Sequence, residues 1–201
     1  MKIMRVLSLA ALMVFLFAAC DKASTTGSDV VIESEEAPEG ATLVPYEDTP
    51  GLVRATVRVG ELITLEGDLL DGKRHGSWIE FDTQGPVKSL ITYMNGKRHG
   101  VSLVFDRNGT VSQKSIYSNG LLHGEFKDFN RRRLIEEKTY VKGKLEGVVK
   151  KYYTSGTVMQ EAPYKNGLMD GLAKWYDEDG NVSIAYLYEN GDLVDKDPEL
   201  D

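Results

Sequence analysis

His75, His99 and His123 are the residues whose type most readily suggests chemistry, because each offers an imidazole nitrogen and each stands just before a glycine. Their spacing argues against a shared ion. They recur at 24-residue intervals, and if one interval makes one two-stranded hairpin, the first and third lie about 19 Å apart at about 4.8 Å per strand. Zinc binds nitrogens at about 2.1 Å and needs its ligands within roughly 3–4 Å of one another. The same position becomes Glu146 and Asp170 further on, so a turn-capping or surface role is expected, with no metal and no cofactor. The basic pairs Lys73-Arg74 and Lys97-Arg98, with Lys144 and Arg131 to Arg133 nearby in sequence, form a second constellation. They read either as solvated charges that protect a sheet edge or as a positive rim that meets an anionic partner such as lipid headgroups, lipopolysaccharide or an acidic protein. No nucleophile and base are paired, and the glycines follow a long register instead of clustering as a phosphate loop. No catalytic residue is identified, and no enzyme is expected.

The single cysteine, Cys20, rules out an intramolecular disulfide and a cysteine metal site. It follows an export-type segment: Lys2 and Arg5 supply positive charge, and Val6 to Phe17 is apolar apart from Ser8. That run is shorter than the about 20 residues a helix needs to cross a bilayer. The ending Ala18-Ala19-Cys20 resembles the bacterial lipobox, with Phe17 where leucine is usual. This resemblance implies that residues 1–19 are a lipoprotein signal peptide, that Cys20 is acylated, and that the protein is exported and membrane-anchored, on the periplasmic face or the cell surface.

Charge separates the remaining segments. Of the net −7, residues 21–50 hold eight acids against Lys22, and residues 196–201 hold three against Lys196, whereas residues 51–195 balance 20 bases with 20 acids. A neutral, exported body has no nucleic-acid footprint. Residues 20–50, rich in Ser, Thr, Glu, Pro and Gly, are expected to carry the lipidated Cys20 and form a disordered acidic tether. Residues 51–195 form the folded domain and residues 196–201 an acidic tail.

Internal periodicity dominates residues 51–195. Gly72, Gly96, Gly120, Gly143, Gly167 and Gly191 are spaced 24, 24, 23, 24 and 24 apart, and the first five are followed four residues later by Gly76, Gly100, Gly124, Gly147 and Gly171. Tyr93, Tyr117, Tyr140, Tyr164 and Tyr188 precede a marker glycine by three residues; Phe81, Phe105, Phe129, Tyr152 and Tyr176 follow the second glycine by five. Val87, Val111, Leu134, Val158 and Val182 make a third column. Asn95-Gly96, Asn119-Gly120, Asn166-Gly167 and Asn190-Gly191, with Asp71-Gly72, are type I′ hairpin signals. Asp82 to Gly85, Asp106 to Gly109 and Asp177 to Gly180 suit type I turns at the other end. The fold class is therefore all-β: tandem hairpins of about 24 residues forming one elongated, twisted antiparallel meander sheet.

The valine and tyrosine columns are six residues apart on one strand, an even number, so alternation places both on one face. If Phe81 pairs with Val87, the phenylalanine column joins them. Glu80, Asp128 and Lys151 then fall on the opposite face, with Trp78 and Trp175 expected to patch it. Pro163 removes a ladder donor and predicts a strand end or bulge.

The pattern Tyr-x-Asn-Gly-Lys-x-x-Gly followed by an aromatic, best seen in residues 93–105, resembles the bacterial MORN-repeat variant over about residues 66–194. Arg131-Arg132-Arg133 stands where that repeat has its mid-repeat glycine, with one residue deleted. The aromatic columns and the basic turns, with no catalytic constellation beside them, point to a lipid-anchored scaffold that binds a protein or an anionic envelope component. Relatives of the YwqK-like antitoxin type imply an alternative, a neutraliser of a partner toxin, and a passive structural spacer is a third. The aromatic columns either curl into a narrow core or stay open to a partner.

Overall fold

The structure is a computed structural model and describes residues 35–196. The export segment, Cys20, residues 21–34 and residues 197–201 lie outside the described residues. The strands are β1 (Thr42–Pro45), β2 (Leu52–Val59), β3 (Leu62–Leu70), β4 (Lys73–Phe81), β5 (Val87–Met94), β6 (Lys97–Phe105), β7 (Val111–Ser118) and β8 (Leu121–Asn130). They continue as β9 (Arg133–Val141), β10 (Lys144–Leu145), β11 (Gly147–Tyr152), β12 (Val158–Lys165), β13 (Leu168–Met169), β14 (Gly171–Tyr176), β15 (Val182–Glu189) and β16 (Asp192–Lys196). All belong to one open antiparallel meander in which each strand pairs with the next. β10 with β11, and β13 with β14, are two pieces of a single rung, broken at Glu146 and Asp170.

The turns form as their residues dictate. Asp71, Asn95, Asn119, Lys142, Asn166 and Asn190 all have φ near +50°, and the glycine after each is also positive, which is the type I′ geometry. Each of these turns is stitched to the one before it: the Gly96 amide donates to the Arg74 carbonyl and the Gly120 amide to the Arg98 carbonyl, both at 2.8 Å. At the other hairpin end, Gly85, Gly109 and Gly180 donate to the carbonyls of Asp82, Asp106 and Asp177. The carboxylates of the first two accept the amides of Gln84 and Asn108, and that of Asp177 accepts the Asn181 amide. Arg131 and Arg132 replace such a turn with a two-residue one at φ of 49° and 71°.

The second glycine of each repeat sits in a bulge. Between Ile91↔Ser102 and Tyr93↔Arg98, residues 99–101 face Thr92 alone. The same two-residue excess recurs between β3 and β4, between β7 and β8, at Glu146 opposite β9, and at Asp170 opposite β12, where Pro163 lies in the irregularity its missing N–H predicts. Gly100, Gly124 and Gly171 have φ of 88°, 110° and 121°, and a Cβ would press on Thr92 from Gly100 and on Pro163 from Gly171, while from Gly124 it would make ordinary contact with Ile116 of the preceding strand. Across the other side, every second glycine is directly paired with a column tyrosine: Gly76↔Tyr93, Gly100↔Tyr117, Gly124↔Tyr140, Gly147↔Tyr164 and Gly171↔Tyr188. The bare backbone makes room for the ring.

A second, one-residue bulge closes each hairpin and overturns the expected sharing of faces. Phe81 does pair with Val87, and the four later pairs follow suit, but Glu80 pairs with Ser89, leaving Lys88 as an extra residue. One inserted residue reverses the alternation, so the phenylalanine and valine columns lie on the face opposite the tyrosines. The Tyr152 and Tyr176 hydroxyls accordingly donate to Glu137 and Glu161, and Val111 and Phe129 line one hollow with Leu103 and Lys114. Glu80, Asp128 and Lys151, expected away from the tyrosines, share their face: Ser89 donates to Glu80, and Gln113 to Asp128, while Lys151 is opposed to Gln160. Trp78 and Trp175 are on this face too, edge-on to Tyr93 at 6.5 Å and to Tyr186 at 5.5 Å.

The sheet also begins before residue 51. β1 pairs with β2 in continuous register, and Glu36 bridges to Lys73, so residues 35–50 are part of the folded unit and not of a tether. The bulky buried side chains cluster at this end, where Ala55, Leu69, Trp78 and Tyr93 pack with Ala41, Val53, Leu65 and Ile91, while the later strands bury Val149, Ala162, Ala173 and Ala185. Gly67 lies flat under the Trp78 ring, with room for no side chain: a Cβ there would fall 2.2 Å from it.

Candidate functional site

The tyrosine column is graded along the sheet. Tyr93 is 4 % exposed, whereas Tyr117, Tyr140, Tyr164 and Tyr188 are half-buried. The residue opposed to each tyrosine on the following strand changes in parallel, from Arg98 to Leu122, Leu145 and Met169. Lysine meets aromatic rings further along, Lys138 at 4.6 Å from Phe126 and Lys196 at 5.9 Å from Tyr186, but the described contacts of arginine with the rings fall at the first two repeats.

There the basic rim splits. Lys73 and Lys97 lie on the face away from the tyrosines, whereas Arg74 and Arg98 turn onto the tyrosine face beside the rings. The Arg74 guanidinium stacks 4.5 Å from the Trp78 ring and 5.4 Å from Tyr93, and Arg98 lies 5.7 Å from Tyr117. Trp78 is anchored by its indole N–H, which donates to the Asp68 carbonyl at 3.0 Å. Both guanidiniums meet a carboxylate, Glu35, that lies within the segment expected to be a tether. Arg74 Nη1 is 3.0 Å and Arg98 Nε 3.4 Å from Glu35, and the Tyr93 hydroxyl donates to it at 3.0 Å. Burial raises the Tyr93 pKa, and the Glu35 charge raises it further. For Arg98, burial works against the charge, but Tyr93 and Glu35 outweigh it and hold the pKa above its ordinary value. These groups line an open groove of about 570 Å³ that continues to Glu80, Lys88 and Ser89. Its chemistry is the recognition of a carboxylate. The sequence signal for Glu35 was an acidic stretch in a chain with two Arg-bearing turns, which names no partner for either.

The histidines stay apart from this groove. His123 Nδ1 accepts the Lys142 amide at 3.3 Å, and Glu146, its counterpart one repeat on, accepts the Asn166 amide at 2.9 Å. This is a turn-capping position filled by two residue types. His75 and His99 have buried Nδ1 atoms without a hydrogen-bond partner among the described residues.

The opposite face carries a charge row in the later repeats. Glu125 bridges Lys114 at 3.0 Å and Lys127 at 2.6 Å, and Glu161 pairs with Lys150 at 2.9 Å. Hydrogen bonds from Lys127 and Lys114 hold the Glu125 carboxyl below its usual value, and the bond from Lys150 does the same for Glu161. The Tyr152 hydroxyl is pushed well above its ordinary range by burial and by its bond to Glu137.

Residues 98–119, 145–166 and 169–190 match the family described as the MORN repeat variant. Each matched segment ends on the first residue of a type I′ turn: Asn119, Asn166 and Asn190. No curated relative matches the chain. Among solved structures, an S. aureus TarM mutant in complex with fondaparinux, alpha-GlcNAc-glycerol and UDP aligns at 10% identity with a TM-score of 0.28. TarM itself aligns at 11% and 0.29. Each alignment covers 79% of this chain and 22% of the other, so the chain spans under a quarter of their length. That likeness is too low to carry over fold or chemistry. Three of the hairpin repeats thus match the MORN repeat variant, and the repeats around them share the type I′ turns and the glycine–tyrosine pairing.

Proposed function

We propose that the protein is an exported, acyl-anchored scaffold that binds a protein partner in the cell envelope through the tyrosine face of its later hairpins. The observation that carries this reading is the uneven cover of that face. Residues 35–41 lie over Tyr93 at one end, whereas Tyr164 and Tyr188 are only half-buried in a single-layer sheet. Half-exposed aromatics beside apolar Met169 and Leu193 are the side chains that dominate protein interfaces. Two of the matched repeats, 145–166 and 169–190, supply Tyr164, Met169 and Tyr188, and repeats of this kind are generally protein- or membrane-binding modules. The anchor rests on Cys20 and the export-type segment before it. Glu35, the first described residue, is held on the sheet by Tyr93.

Crosslinking the full chain in its own envelope tests the proposal. A stoichiometric partner should be recovered with the wild type and lost with the Tyr164→Ala, Tyr188→Ala double variant, while the hairpins stay folded. Equal recovery with both proteins would remove the tyrosine face as the contact, and the absence of any partner would favour a passive spacer. Fatty-acid labelling that persists in Cys20→Ser would remove the anchor.

A further inference from the structure

We propose that Arg74, Arg98 and Tyr93 form a receptor for an extended acidic peptide of a partner protein, and that Glu35 is a built-in competitor for it. The site is independent of the later tyrosine face and stands or falls separately.

Three features make this a receptor and not a chance ion pair. Its groups are placed by the sheet itself: Arg74 is stacked on Trp78 and Tyr93, both almost fully buried, and Trp78 is fixed by its bond to Asp68. A guanidinium held in this way loses little freedom on binding. Both carboxylate oxygens are used, Glu35 Oε2 by Arg74 and Tyr93 and Oε1 by Arg98. The ligand's main chain is read as well. The Glu35 amide donates to the Gly96 carbonyl at 2.6 Å, the Arg74 amide donates to the Glu35 carbonyl at 3.0 Å, and Arg74 Nε donates to the Glu36 carbonyl. Backbone pairing supplies affinity while the side-chain pocket selects a glutamate, which is how a peptide adds to a sheet.

The occupant is built to leave. It holds the receptor through Glu35 and Glu36, and the chain then turns at Pro38 to Ala41, with Gly40 at φ 73°, before joining β1. Departure of these residues breaks no strand-to-strand pairing between β2 and β16. It exposes two guanidiniums and a buried phenol that favour another anion. A tethered occupant competes at a high effective concentration, on the order of millimolar, so the free receptor should be seen only when the tethered carboxylate is removed.

The test uses a fluorescent synthetic peptide with the sequence of residues 32–41 as the probe, followed by anisotropy against the full chain. Glu35→Lys, which Arg74 and Arg98 repel, and Glu35→Ala should each bind the probe at least about tenfold more tightly than the wild type does. Binding should be lost when the probe carries Gln at the Glu35 position, and when Arg74→Gln and Arg98→Gln are added to the Glu35→Ala chain. Equal affinity of the wild type and both Glu35 variants, absence of binding by either variant, or indifference to the Gln probe would overturn the proposal. Denaturant melts of each variant separate loss of the receptor from loss of the fold.

Discussion

The first hairpins and the last are built on one repeat and are stabilised in different ways. On the face away from the tyrosines, one row of directly opposed residues runs Ile79, Leu90 and Leu103 through the early strands. The same row continues as Lys114, Lys127, Glu137, Lys150, Glu161 and Lys174. On the tyrosine face, the early strands have Trp78 and Tyr93 beneath Arg74 and residues 35–41. The late strands have only small buried residues, Val149, Ala162 and Ala173, between their aromatic rings. A repeat array can change its chemistry in this way because each unit contacts mainly its neighbours. The turns hold the geometry while the faces diverge.

The strongest way to break this comparison is to remove the tryptophan at each end. Trp78→Ala should cost about 3–5 kcal/mol as a large truncation in a filled core. Trp175→Ala, at a half-buried position, should cost clearly less, and equal urea midpoint shifts would contradict a confinement of the bulky buried aromatics to the early strands. Gly67→Ala should cost about 1–3 kcal/mol by overpacking, since its Cβ would collide with the Trp78 ring. The melting temperature of that variant checks it, and disappearance of the Gly67→Ala cost when it is introduced into a Trp78→Ala background would confirm the cause.

A smaller effect separates the halves by pH. Glu125 and Glu161 have depressed pKa values in the folded state, so their contribution is present above the ordinary carboxylate value and is lost as pH falls through the folded one. Exposed pairs of this kind are worth about 0.2–1 kcal/mol each. Amide exchange in β8, β11 and β12 should therefore speed up in acid relative to β4 to β6, and uniform acceleration would remove the distinction. The smallest change is a gain. Arg132→Gly relieves a positive φ of 71° at the turn between the halves; the left-handed strain of about 1–2 kcal/mol that it removes exceeds the glycine entropy of about 0.5–1 kcal/mol that it adds, so the urea midpoint should rise. No gain would mean that the arginine side chain offsets its own strain.

Much of this was legible beforehand for a local reason. Type I′ turns need two residues that tolerate positive φ, so Asn-Gly pairs every 24 residues announce hairpins of one length wherever they fall. The second glycine column was equally visible, though its purpose, a bulge with a tyrosine paired across it, needed the register. The sequence by itself determined the repeat, the turn types and the antiparallel meander, because each is set within four residues of backbone. Only the tertiary structure decided which columns share a face and where Glu35 binds. A one-residue bulge reverses every later side chain without changing a single spacing, and a contact between Glu35 and Arg98 joins residues 63 positions apart, beyond the reach of any local pattern.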